Sequence, residues 1–149
     1  MVATIRLAQS KDKDDIVQLL QQAQMNTTGV DKPAAQFLLA EKENDSTKQR
    51  QIVGTVGVEF YGQRALLRSF VLTDGVNQAR LGLEIIRIVL AYVEQKHVSE
   101  LYMVTLAPSS FFTELGFCEV AWEALPDDIR ASDHIRRVDQ TATPMVYRY

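Results

Sequence analysis

The side chains best suited to chemistry in this chain cluster in one short stretch, where Glu59, Tyr61, Arg68 and Ser69 follow closely on one another. A carboxylate such as Glu59 can take a proton from an amine, directly or through water. Arg68 interrupts an apolar run, Ala65 to Leu72 (ALLRSFVL), and an arginine there needs a carboxylate partner or open solvent. Two partners stand open: the carboxylate of a bound amino-acid-like molecule, or an internal salt bridge with Glu59 or another acid. Ser69 can donate a hydrogen bond to a ligand. Ser109 suits the N-cap of a short helix, and Ser110 beside it is a weak proton donor. His97 ends a helix, where it would cap carbonyls, and lies far in sequence from His134. With no metal-ligand spacing, no metal is expected. Cys118, the single cysteine, is expected as a buried small hydrophobe, and Trp122 as a packing residue.

Composition narrows the class. Hydrophobic residues at 46% and charged residues at 23% fit a globular chain with a core and exclude a disordered one. A formal net charge of −3 argues against a nucleic-acid binder. One cysteine rules out an intramolecular disulfide and suits a reducing compartment. No apolar stretch approaches the roughly 18 residues of a membrane span, and the N-terminus lacks a basic start followed by an apolar run. A single cytoplasmic domain over 1–149, not bound to membrane, is the expectation.

The elements that must position those residues follow from periodicity. Met1 to Ala8 is predicted as a strand, and Ser10 as the cap of a helix whose Ile16, Leu19, Leu20 and Ala23 share one face. Phe37 to Ala40, Gln51 to Phe60 and Ala65 to Leu72 are predicted strands of an antiparallel meander. They are joined by the polar loop Glu41 to Arg50 and by the turn Tyr61 to Arg64. Leu81 to His97 is the strongest helix, apolar on more than one face and therefore covered on two sides. Glu100 to Leu106 completes a strand–helix–strand crossover, which sets two strands parallel. A short helix over Pro108 to Leu115 ends at Gly116. A strand over Phe117 to Trp122, a helical stretch from Leu125-Pro126 and a closing strand over Met145 to Tyr149 follow. This order gives an α/β (α+β) domain around one mixed sheet flanked by helices.

Two segments resemble motifs of the GNAT acetyltransferase superfamily. Val71 to Ile86 (VLTDGVNQARLGLEII) is similar to its acetyl-CoA motif, a strand and loop leading through Arg/Gln-x-x-Gly-x-Gly/Ala into a helix whose unpaired N–H groups receive a pyrophosphate. Here Asn77 stands at the Arg/Gln position, Arg80 at the first glycine and Gly82 at the second. Ala107 to Phe117 (APSSFFTELGF) resembles the later motif Ala-x-x-Phe-Tyr-x-x-Leu-Gly-Phe, with Phe112 where a tyrosine often protonates the leaving thiolate. A narrower likeness, to the arsenic-resistance (ArsN-like) N-acetyltransferases, covers Val53 to Val71, Phe111-Phe112 with Leu115-Gly116-Phe117, and Leu125 to Ser132. Val138-Asp139 stands where those proteins commonly carry Cys-Pro.

The resemblance implies a GNAT fold and transfer of acetyl from acetyl-CoA to a small amine or amino-acid-like acceptor. It implies coenzyme contacts from Phe70, Val71 and Leu72, from Val76, Asn77, Gln78, Ala79, Arg80, Leu81, Gly82 and Leu83, and from Phe111 and Phe112. The N–H of Val71 would polarise the thioester carbonyl. Glu59 is implied as proton acceptor and Ser110 as proton donor to the thiolate, with Tyr61, Arg68 and Ser69 around the acceptor. The departures at Asn77, Arg80 and Phe112 leave open a domain that binds acyl-CoA with little or no turnover. A homodimer through sheet edges is compatible with the fold.

Overall fold

The computed structural model describes residues 3–32, 35–73 and 78–149, with the backbone alone at 78. Seven strands form one mixed sheet: β1 (Thr4–Leu7), β2 (Ala35–Glu43), β3 (Arg50–Tyr61), β4 (Arg64–Leu72), β5 (Glu100–Thr105), β6 (Cys118–Glu119) and β7 (Thr143–Arg148). Their spatial order is β1-β2-β3-β4-β5-β7-β6. Every neighbouring pair is antiparallel except β4 and β5. The parallel pair is joined by helix α2 (Gln78–Gln95), the crossover expected from the sequence. The predicted strand Phe37 to Ala40 extends to Glu43, whereas the one over Phe117 to Trp122 shrinks to Cys118–Glu119 because the chain turns at Trp122–Ala124.

The sheet is covered on both faces. On one, Ile85, Ile86, Val89 and Val93 of α2 pack against Val56, Val58, Ala65 and Leu67, joined by Phe112 of the short helix α3 (Ser110–Glu114). On the other, Ile16 and Leu20 of α1 (Lys13–Gln22) cover Phe37, Leu39 and Val71. Leu125, Ile129 and Ile135 of the tail, which carries α4 (Asp127–Arg130) and α5 (Asp133–Arg136), cover Leu66, Tyr102 and Val146. This alternation along the strands is what a sheet buried on both faces requires.

Three expectations are corrected. Ser10 does not cap α1: it begins a single 3-10 turn, Ser10–Asp12. The anchor there is the buried Asp12 carboxylate, which accepts from the Gln9 N–H at 2.7 Å and pairs with Arg6 at 2.8 Å. Cys118 is exposed. Both residues of the two-residue strand β6 are exposed, and it is Phe117 just before them, 1% exposed, that takes the core position. At His97 it is the backbone N–H that donates to the Glu94 carbonyl, at 3.0 Å, with φ at 62°.

Candidate active site

Strand β4 carries a defect that opens the sheet. Thr55 pairs with Val71 and Gly57 with Arg68, so Ser69 and Phe70 together stand opposite Val56 alone. Ser69 holds φ at 58°, a left-handed conformation that non-glycine residues adopt rarely and often at functional sites. The two-against-one count is a β-bulge, and it reverses the alternation downstream. Before it, Ala65 and Leu67 face α2; after it, Phe70 and Leu72 do, while Val71 turns to the α1 side. Pairing between β4 and β5 covers only Arg64, Ala65 and Leu66 against Glu100, Leu101 and Tyr102. Beyond Leu66 the parallel strands separate.

A cleft of about 800 Å³ fills that gap. One wall is β4, with Leu67 to Phe70 and Leu72, and the facing wall is β5 with the turn after it, Met103 to Pro108. Ala79 and Gly82 of α2 and Ser110, Phe111 and Phe112 of α3 also line it. So do Gln24, Met25 and Asn26 after α1, with His134, Arg137 and Asp139 of the tail. A Cβ on Gly82 would lie 3.1 Å from Leu72 and 3.3 Å from Phe70, so glycine lets α2 sit tightly against the bulged strand. The rings of Phe70 and Phe111 each meet Phe112 edge-on, with centroids 6.3 and 5.0 Å apart.

The sequence-predicted site residues therefore divide. Phe70, Leu72, Ala79, Gly82, Phe111, Phe112, Arg68, Ser69 and Ser110 come together around the cleft. Val71 contributes its side chain to the opposite core. The N–H of Thr73 donates to Val53 across β3 at 2.9 Å, and strand alternation turns the N–H of Val71 toward β3 as well. Leu81 is packed into the core face of α2, and Leu83 is partly buried on that helix without lining the cleft. Arg80 points outward, its side chain 81% exposed and 3.4 Å from Glu84. Val76 and Asn77 lie outside the described residues, as does the side chain of Gln78.

Glu59 and Tyr61 sit behind the cleft wall. Arg68 Nη1 lies 2.6 Å from Glu59 Oε2, and the guanidinium is fully buried. Of the two partners the sequence left open for Arg68, the fold supplies Glu59. The guanidinium also donates to Ser69 Oγ at 2.9 Å, to the Asn26 carbonyl at 3.2 Å and to the Thr28 carbonyl. Glu59 Oε1 accepts from the Tyr61 hydroxyl at 2.6 Å. Burial first, and the Glu59 hydrogen bond second, push the Tyr61 phenol well above its usual range, keeping it a donor. Both carboxylate oxygens are thus engaged, which leaves Glu59 arranged to hold Arg68 rather than to face a substrate.

Sequence reasoning missed His134. Ser132 caps α5, accepting from the Ile135 N–H at 3.3 Å and donating to the Ile129 carbonyl at 2.6 Å. With Ile129 and Ile135 in the core, the intervening imidazole is held at the cleft, 7% exposed. Burial, and then the positive charge of Arg68, lower its pKa to about 4 against an opposing pull from Glu59. It is therefore neutral near pH 7. Its Nδ1 is buried with no hydrogen-bond partner among the described residues, and so is Nδ2 of Asn26. A histidine flanked by a serine cap and two isoleucines was the only local signal.

No protein-family model matches the chain. A search of curated proteins gives the Bacillus subtilis protein YwlB, 31% identical over 144 residues, covering 95% of this chain and 92% of the relative. The chain belongs to the YwlB family. Among solved structures, an acetyltransferase of the GNAT family from Staphylococcus aureus Mu50 superposes on this YwlB relative with a TM-score of 0.73 at 15% identity, over 99% of both chains. Mycobacterium tuberculosis Rv2747, solved in complex with coenzyme A, gives 0.74 at 15% identity over 98% of this chain and 99% of that one. A Thermoplasma acidophilum PaiA N-acetyltransferase, also solved with coenzyme A, gives 0.66 at 14% identity over the whole of both. The fold of this YwlB relative is that of the GNAT acetyltransferases. Among the described residues no group of histidine, cysteine and acidic side chains could hold a metal ion, and no helix is long and apolar enough to cross a membrane.

Proposed function

We propose that the chain is an N-acetyltransferase that moves the acetyl group of acetyl-CoA to a small amine by direct attack. The observation that carries the reading is the gap between β4 and β5: an extended pantetheine arm can lie along β4 beyond Leu66 as a further strand would. The coenzyme A held by the Mycobacterium and Thermoplasma structures of the same fold supports it. The N-terminal turn of α2, with Ala79 and Gly82 on the cleft, would receive the pyrophosphate on its unpaired N–H groups. Arg80 departs from the motif glycine, yet its outward course leaves that approach open. The aromatic cluster of Phe70, Phe111 and Phe112 would flank the arm.

The amine nitrogen attacks the thioester carbonyl carbon, forming the C–N bond. The C–S bond then breaks, the thiolate leaves and the amine proton passes to solvent. Developing charge on the carbonyl oxygen would be met by backbone N–H groups at the Ser69–Phe70 bulge, fixed in advance by the strained φ of Ser69. Phe112 has no proton to give. A thiol of pKa near 8.5 is nonetheless a serviceable leaving group, and Ser110 lies on the cleft to hydrogen-bond it. Holding amine and thioester together would supply most of the acceleration. The buried Phe112 also favours a second reading, a domain that binds acyl-CoA with little turnover. Thiol release from acetyl-CoA, measured across a panel of amino acids and small amines, tests the enzyme reading. Amine-dependent release from the wild type supports it, and tight acetyl-CoA binding with no release for any amine selects the second.

A further inference from the structure

The cleft draws its lining from both faces of the sheet. Helices α2 and α3 cover one face, α1 and the tail cover the other, and all four regions reach the opening between β4 and β5. With the pyrophosphate on the N-terminus of α2, the coenzyme takes the first face and the acceptor is left the second. The lining from that second face is largely uncharged, with Met25, Val138 and Ala142 beside the neutral His134. Among the described residues, three charged side chains line the cleft: Arg68, Arg137 and Asp139. Arg68 is buried and matched by Glu59. Asp139 is folded back on its own turn, where Oδ1 accepts from the Thr141 N–H at 2.8 Å and from the Thr141 hydroxyl at 2.7 Å. Arg137 differs from both. It is exposed, and its side chain has no hydrogen bond or ion pair among the described residues.

The backbone beneath Arg137 is fixed. Arg137 closes α5, its N–H donating to the His134 carbonyl at 3.1 Å, and the next N–H, of Val138, reaches the Ile135 carbonyl at 3.3 Å. Ile135 lies in the core, and the Ser132 cap holds the other end of that helix. Further on, Ala142 donates to the Asp139 carbonyl and Thr143 pairs with Thr105 at the end of β5. The guanidinium therefore springs from an anchored point on the cleft wall. It offers five N–H donors and no acceptor, in a planar fork that fits a carboxylate. We propose that Arg137 is a specificity-determining residue, which holds a carboxylate carried by the acceptor amine while the amine meets the thioester. This rests on the acetyltransferase reading above. Neighbouring cations do not duplicate the role. Lys32 is paired with Asp133 at 2.6 Å, and neither Lys32 nor Arg136 lines the cleft.

Steady-state kinetics with matched pairs of acceptors, each an amino acid and the amine left when its carboxylate is removed, provide the test. The wild type prefers the amino acid of at least one pair by about tenfold or more in kcat/KM. Arg137→Gln raises the KM of that amino acid by about tenfold or more, with kcat and the acetyl-CoA Kd within about twofold of wild type. It leaves the KM of the decarboxylated partner unchanged. Arg137→Lys keeps the charge but loses the planar fork, and its KM falls between those of wild type and Arg137→Gln. Arg136→Gln, one residue away and outside the cleft, leaves both KM values unchanged. Where turnover is too slow to measure, NMR titration of the same pairs into protein saturated with coenzyme A gives Kd in place of KM, with the same ratios expected. The proposal is overturned if the wild type does not distinguish the members of any pair, or if Arg137→Gln weakens both members alike. It is also overturned if Arg137→Gln weakens acetyl-CoA binding and leaves the acceptors untouched, since the arginine would then hold a coenzyme phosphate. Failure of acetyl-CoA itself to bind is seen separately by calorimetry and removes the acetyltransferase reading and this anchor together.

Discussion

Consider Glu59→Gln, which removes one charge from a pair buried behind the cleft. The Arg68 side chain is 0% exposed and that of Glu59 11%, with nitrogen and oxygen 2.6 Å apart. Taking one partner from a buried pair leaves the other charge uncompensated and costs about 3–5 kcal/mol. Glutamine keeps the volume and can still accept from Tyr61 or Arg68, so the lower end, about 3 kcal/mol, is expected. At a urea slope near 2 kcal/mol/M this moves the unfolding midpoint down by roughly 1.5 M. Arg68→Met alone strands a carboxylate that keeps the Tyr61 hydrogen bond and some solvent. The double variant strands no charge. The double-mutant cycle at pH 7 should therefore give a coupling energy of about 2 kcal/mol or more. The reasoning is refuted if Glu59→Gln is as stable as wild type while acetyl transfer collapses. Glu59 would then be the proton acceptor, the role its sequence position first suggests.

Other predictions address neighbouring features. His134 titrates at about 4 in the fold against an ordinary 6.5. Because its folded pKa is depressed, the stability tied to the neutral ring is complete above pH 6.5, falls as the unfolded chain takes up the proton first, and levels off near pH 4. The full difference is about 3 kcal/mol, so His134→Phe should flatten the fall in denaturant stability between pH 7 and pH 4.5; an unchanged slope would place the ring in solvent. Gly82→Asp should weaken acetyl-CoA binding at least tenfold with the circular dichroism spectrum retained, and unchanged affinity would remove α2 from the coenzyme site. Gly116 holds φ at 109°, and a Cβ there would lie 2.9 Å from Tyr147. Gly116→Ala should therefore cost about 2 kcal/mol in urea unfolding.

The meander, the crossover helix and the short helix ending at Gly116 were legible because each has its own period or punctuation. The bulge was not. ALLRSFVL reads as an unbroken buried strand, and only pairing with β3 reveals that Ser69 and Phe70 share one partner. That single extra residue decides which side chains reach the cleft, bringing in Phe70 and Leu72 and sending Val71 to the far core. The need of Arg68 for a carboxylate was legible from its apolar surroundings, but the choice between a ligand and Glu59 depended on how β3 and β4 register. Asn26 and His134 carry no motif and are far apart in sequence. They meet at one cleft only because the fold brings the segment after α1 and the tail together there.

Calorimetric titration of the wild-type protein with acetyl-CoA, at neutral pH and moderate salt, tests the central claim most directly. A strand-like gap beside the N-terminus of α2 predicts micromolar binding in spite of Arg80 at the motif glycine. No heat at millimolar acetyl-CoA would mean that the opening between β4 and β5 is not a coenzyme site, and the acetyltransferase reading would fall.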